Sequence, residues 1–117
     1  MQFTEISYEN ALPIDGYGPG FFRIGGEVIE GAMLATATGA QSWGGLEDIE
    51  ALTALAGSVD VIFLGTGPEM AHPPRALREA LEALGVGVEP MASPIACRTY
   101  NIVLSEGRRI ALAVLPV

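Results

Sequence analysis

Val59-Asp60-Val61-Ile62-Phe63-Leu64, followed at once by Gly65-Thr66-Gly67, is the stretch on which the fold turns. A β-branched, almost wholly apolar run closed by a glycine turn reads as a central strand. On its N-terminal side Leu46, Ile49, Leu52 and Leu55 recur at helical spacing, and Gly57 stands where a helix ends. On its C-terminal side Pro73-Pro74 opens a second helix with Leu77, Ala80, Leu81 and Leu84 as its buried stripe and Gly85 as its stop. Residues 86–89 form a short strand. Ser93-Pro94 supplies the N-cap and first position of a third helix that reaches Ser105-Glu106-Gly107, and residues 109–115 are the last strand. Strand, helix, strand, helix, strand with short connections predicts parallel pairing through right-handed crossovers.

Before Trp43 the chain has another character, with Gly and Pro punctuating short β-type runs. Asp15-Gly16-Tyr17-Gly18-Pro19-Gly20 reads as a turn region. Residues 21–24 and 28–29 flank Gly25-Gly26, a hairpin signal because both glycines accept positive φ. Residues 31–38 are a further strand candidate. The expectation is an α/β chain (α+β-like in its segregated N-terminal strands), folded as a single domain over residues 1–117. Whether the N-terminal hairpin packs on the βαβαβ unit or extends its sheet is open at this level.

Composition limits the functions available. The 117 residues carry a net charge of −8, and Arg is the only basic residue type. Acidic positions such as Glu5, Asp15, Glu27, Glu47, Asp60, Glu79 and Glu106 are spread along the chain. That field repels phosphate backbones and anionic headgroups, so no nucleic-acid partner is expected. Arg108-Arg109 is the only basic pair, and no basic stripe is interleaved with aromatics. One cysteine, Cys97, and one histidine, His72, exclude an intrachain disulfide and a Cys/His zinc module, and no metal or cofactor is expected. The opening Met1-Gln2-Phe3-Thr4-Glu5 lacks the layout of a signal peptide. Apolar runs such as residues 110–117 fall short of the roughly 20 residues that span a bilayer. No integral membrane segment and a cytoplasmic location are therefore expected. A chain of this size leaves much of its surface exposed, which makes a homodimer unsurprising.

In an open parallel sheet, ligands collect outside the carboxyl ends of the strands. Gly65-Thr66-Gly67-Pro68-Glu69 and Met91-Ala92-Ser93-Pro94 meet that description, and the helix from Ser93 would point its N-terminus at the same edge, where a small anion or carboxylate could sit. Gly65, Thr66, Gly67, Ser93, Cys97 and Asn101 are the candidate ligand contacts. The plainer reading, a strand exit and an ordinary helix start, outweighs it. Cys97 falls in the first helical turn, where the dipole would favour a thiolate. On the helix it lies at the border between the apolar face of Ala96, Tyr100, Val103 and Leu104 and the polar face of Arg98, Asn101 and Ser105. A nucleophile needs a base, and His72 on the same edge is the one candidate. No third, orienting group is legible, and packing as a small hydrophobe outweighs reaction.

Other motifs carry less. Gly16-x-Gly18-x-Gly20 does not follow a strand and open a helix, so a dinucleotide loop is excluded by context. Glu47-Asp48 belongs to a first helical turn, where acids complement the dipole. Trp43, in Ser42-Trp43-Gly44-Gly45, either anchors a partner or plugs the end of a core; both readings stand.

Two motifs together have a wider meaning. Gly65-Thr66-Gly67 after an apolar strand is followed, after room for one helix and strand, by Pro94-Ile95-Ala96-Cys97-Arg98-Thr99-Tyr100-Asn101. With Tyr17-Gly18-Pro19-Gly20-Phe21-Phe22-Arg23 and the final strand, this resembles an uncharacterised domain family, from about Ile14 to the C-terminus. That family includes the mitochondrial respiratory complex I assembly factor three and single-domain bacterial and archaeal relatives. Its members often carry Asn where Ile95 stands here. The resemblance implies a three-layer β/β/α arrangement with an N-terminal β layer over the βαβαβ unit. It implies a role in protein assembly for the mitochondrial branch, and transfers no catalytic residue.

Three functions are consistent with these residues. In the first, a non-enzymatic module binds a protein partner, with Trp43 and Tyr100 as anchors. In the second, a ligand-binding protein or thiol-dependent enzyme uses the strand-end loops, His72 and Cys97. In the third, dimerisation through an exposed apolar face is the main use. They rank in that order.

Overall fold

The computed structural model describes residues 12–117. The reading of residues 1–5 as lacking a signal peptide, and the acidic position Glu5, lie outside the described residues. Among the described residues, eight strands and three helices follow in the order β1 (Ile14–Gly18), β2 (Phe21–Ile24), β3 (Glu27–Glu30), β4 (Met33–Thr36), β5 (Gly39–Ser42), α1 (Ile49–Thr53), β6 (Val61–Gly65), α2 (Arg75–Glu82), β7 (Gly87–Met91), α3 (Ser93–Ser105) and β8 (Ile110–Val114).

The run 59–64 does form the centre of a sheet. β6 is paired in parallel with β7 on one side and β8 on the other, so the carboxyl ends of all three lie at one edge. Its alternation serves two cores: Ile62 and Leu64 face α1 and α2 with Leu52, Leu77 and Leu81, while Phe63 faces α3 with Ala96, Cys97, Tyr100 and Leu104. Burial on both faces is why nearly every residue of β6 is apolar.

The N-terminal strands settle the open question in both ways at once. β1, β2 and β3 form a separate antiparallel sheet, whereas β4 and β5 extend the main one, giving the order β5-β4-β8-β6-β7 with β4 antiparallel to β8. Phe22 and Ile24 of the small sheet share a core with Met33, Ala35, Leu112 and Val114, so the small sheet and α3 lie side by side on one face. The expected β layer over an α/β unit is present. The turn at Gly25-Gly26 is as expected, with φ of 58° and 84° and Ile24 facing Glu27 across a two-residue loop.

Several boundaries differ. Of residues 15–20, expected as turn, 15–18 belong to strand β1 and only Pro19-Gly20 form the turn; Gly18 pairs with Phe21, whose ring occupies the space a Cβ there would take. β5 carries no strand-like residues and was not expected; it forms because two residues, Ala37 and Thr38, fold it back onto β4. The first helix is only Ile49–Thr53: Asp48 is its N-cap, accepting from the Ala51 N–H, so Glu47 lies outside it. Leu84 is exposed, since α2 has ended at Ala83, and Ala80 is half-buried.

Candidate functional site

The strand-end edge assembles as the chain pattern suggested, but its polar groups are turned inward. Ser93 is 1% exposed and is the first residue of α3 rather than its cap, which is Ala92. Its hydroxyl accepts from the Gly67 N–H at 2.8 Å and donates to the Leu115 carbonyl at 2.6 Å. The Ser93 N–H donates to the Gly67 carbonyl at 2.7 Å. One side chain thereby ties the ends of β6, α3 and β8 together, and the amide at the helix start that would have met an anion is already used.

Thr66 is equally occupied. Its N–H donates to the Met91 carbonyl, its hydroxyl donates to the Glu69 carbonyl at 2.8 Å, and the Ala71 N–H donates to that hydroxyl at 2.9 Å. Gly65 and Gly67 are glycines for steric reasons. A Cβ on Gly65 would lie 2.5 Å from Val114 Cγ2 and 2.8 Å from Ser93 Oγ, and Gly67 holds φ +105°. The candidate ligand contacts at 65, 66, 67 and 93 are brought to one edge, where Gly67 and Ser93 bond each other and the polar groups of Thr66 and Ser93 are otherwise taken by the backbone of Glu69, Ala71, Met91 and Leu115.

Cys97 is in the core, 4% exposed, in keeping with the favoured reading of it as a small packed hydrophobe rather than a semi-exposed thiol. The small sheet, packed beside α3, covers the face that the helix alone leaves open. Burial pushes its thiol up to about 12, opposite to the expected dipole-lowered value. His72 is exposed, and no hydrogen bond joins it to Cys97 among the described residues. The pair therefore lacks the contact a nucleophile and base require.

Asn101, expected on a polar face open to ligand, is turned to β1. Its Oδ1 accepts from the Ile14 N–H at 2.8 Å and its Nδ2 donates to the Ile14 carbonyl at 2.9 Å. This clamp was invisible along the chain because its members are 87 residues apart.

Both residues expected as partner anchors are buried in this fold. Tyr100 is fully buried in the core shared by α3 and both sheets, and its hydroxyl has no hydrogen-bond partner among the described residues. Burial raises its pKa too. Trp43 is 5% exposed and packs with Leu34, Leu52 and Leu64, its indole N–H donating to the Asp48 carbonyl at 3.1 Å. It plugs the core beneath α1. Large apolar side chains that do face outward lie elsewhere, among them Tyr17 and Val28 on the small sheet and Ile95 and Ile102 on α3. Helix periodicity separates Ile95 and Ile102 from the buried stripe, and that signal was available in the sequence.

No group of three or more His, Cys, Asp or Glu suited to a metal is present among the described residues, and none of their helices is long and apolar enough to cross a membrane.

The model of a family described as protein of unknown function (DUF498/DUF598) matches residues 14–115. An uncharacterized protein of Rhodobacter capsulatus is 53% identical over all of this chain and 94% of its own length. NADH dehydrogenase [ubiquinone] 1 alpha subcomplex assembly factor 3 of Danio rerio is 31% identical over 88% of this chain, which spans 63% of that protein. Among solved structures, one described as an outer membrane protein of Bartonella henselae aligns with a TM-score of 0.83 at 29% identity, covering 92% of this chain and 97% of that one. A Mth938-like domain of Bordetella pertussis aligns with a TM-score of 0.78 at 25% identity, covering 99% and 90%.

Proposed function

This chain belongs to the DUF498/DUF598 family of proteins of unknown function, and on that premise we propose that it is a non-enzymatic protein-binding module acting in the assembly of a respiratory complex. The observation that carries the reading is the 31% identity, over 88% of the chain, with the fish NADH dehydrogenase assembly factor 3. The chain spans 63% of that relative, so the likeness concerns the folded unit and the role is inferred for this chain. Local geometry supports binding over chemistry. The loops at the strand ends are tied to one another through Ser93 and Thr66, and Cys97 is held as a buried, protonated thiol apart from exposed His72. Contact with a partner falls to exposed side chains, and Trp43 and Tyr100 have no part in it.

The test is genetic and biochemical together. Membranes from cells lacking the gene are resolved on native gels and stained for NADH dehydrogenase activity. The reading expects a reduced band at full size, with subunits accumulating in smaller species, restored by the wild-type gene and equally by Cys97→Ser. A full-size band of unchanged intensity would overturn the assembly role. Failure of Cys97→Ser alone, with the variant shown to be folded, would favour thiol chemistry. The reading includes a cytoplasmic location, and recovery of the protein in the outer-membrane fraction would count against it.

A further inference from the structure

We propose that two copies of this chain pair through β5, antiparallel about a two-fold axis at Gln41, joining their main sheets into one. This goes beyond the assembly reading and stands on separate observations. From residue 31 to residue 46 no side chain is charged, although the chain as a whole carries −8. That run supplies β4 and β5, and β5 is an edge of the five-stranded sheet.

Edges of native sheets are commonly guarded by charge or proline. The other edge strand, β7, has exposed Glu89 and half-buried Pro90, and the edges of the small sheet carry Asp15 on β1 and Glu27 and Glu30 on β3. β5 reads Gly-Ala-Gln-Ser and has neither device. Two molecules of charge −8 repel one another, and the side chains of β5 itself add nothing to that repulsion.

The register follows from the ladder. The Trp43 N–H donates to the Ala32 carbonyl, so Ala32 and Trp43 form a hydrogen-bonded pair. Pairs alternate, hence Gln41 with Leu34 and Gly39 with Thr36 are bonded likewise. Ala40 and Ser42 therefore turn their N–H and C=O groups away from β4, towards the open edge. Pairing Ala40 with the partner's Ser42, and Ser42 with the partner's Ala40, satisfies all of these groups on both copies. It sets Gln41 opposite the partner's Gln41 as the close, non-hydrogen-bonded pair. Gln41 lies on the face of Leu34, where it lines a cavity of about 300 Å³ with Thr36, Thr38 and Leu55 beside the uncovered hairpin. The joined strand would bring the partner's Gln41 amide to that same face. An isologous contact of this kind closes on itself and ends at two copies.

The test is sedimentation equilibrium of the full chain across a range of concentrations. Wild type is expected to approach twice the mass of one chain, and a single-chain mass throughout would overturn the proposal. Gln41→Glu places like charges opposite each other at the axis and should lose the dimer at concentrations where wild type holds it. Gln41→Lys alone should do the same, and mixing the two variants should restore a dimer containing one of each. Ala40→Pro removes an outward N–H and should also give single chains, and should it fail to fold the Gln41 pair decides. A dimer unaffected by either Gln41 variant, or variants that do not recombine on mixing, would assign the contact to another face and overturn the β5 pairing.

Discussion

Asn101 holds Ile14 by both polar groups of its backbone, accepting from the N–H at 2.8 Å and donating to the carbonyl at 2.9 Å. An amide side chain thus replaces a neighbouring strand for the start of β1, and α3 is fastened to the small sheet by the pairing that a β-ladder would use. Carboxamides suit this task because they carry a donor and an acceptor at backbone spacing.

Replacing Asn101 by Ala strips both partners from a partly buried backbone and is expected to lower stability by about 1–2 kcal/mol. Asn101→Asp keeps the acceptor but sets a carboxylate against the Ile14 carbonyl, and should cost at least as much at neutral pH. Urea unfolding followed by circular dichroism measures both. Amide hydrogen exchange at Ile14 should accelerate in each variant more than exchange in β6.

The Ser93 hydroxyl bridges the Gly67 N–H and the Leu115 carbonyl in a site with 1% exposure. Ser93→Ala leaves both without that partner, and a loss of about 1–3 kcal/mol in urea unfolding is expected. Ser93→Thr keeps the hydroxyl but adds a methyl beside Gly65 and Val114. A Ser93→Ala variant as stable as wild type would show that the bridge contributes nothing net.

Gly65→Ala should be harsher than most surface changes, because the new Cβ would sit 2.5 Å from Val114 Cγ2 and 3.0 Å from Ser93 Cα. Overpacking of this kind costs roughly 1–3 kcal/mol. Combining it with Val114→Ala removes the nearer clash, and part of the lost melting temperature should return. No recovery would place the strain at the Ser93 backbone.

Cys97 predicts an alkaline limb of instability. Its thiol is raised from an ordinary value of 9.0 to about 12 by burial, so as pH rises past 9 the unfolded chain loses the proton first. Stability from this group is complete below pH 9 and is lost progressively towards pH 12. Tyr100, shifted in the same direction by burial, steepens the loss. Unfolding free energy measured between pH 8 and pH 11 should fall, and the fall should be shallower in Cys97→Ala. In the native protein at pH 8 a thiol reagent should react far more slowly than in urea, and equal rates would refute the burial of Cys97.

Much of the architecture was legible because it depends on local pattern. The apolar run of β6, the glycine pair between β2 and β3 and the Leu77 and Leu81 stripe of α2 each answer to a period or a turn that neighbours in sequence dictate. β5 and the start of β1 escaped, since glycine and small residues there become strand only through partners supplied by β4 and β2. The candidate site was legible as a place but not as a chemistry. Spacing put residues 65–67 and 93 at one edge, while partners of their polar atoms come from Met91 at the end of β7 and Leu115 just past β8.

By itself the sequence determined the class of fold, the shared edge of the strand ends, the acidic surface and the family, because periodicity, charge and motif order are properties of a chain. Tertiary structure alone decided which way each side chain was spent. Cys97 and Tyr100 became core when the small sheet came down beside α3, Trp43 became a plug under α1, and Asn101 became a clamp on Ile14. A helix face is half a surface, and whether it meets solvent or another layer is settled by contacts that only folding creates.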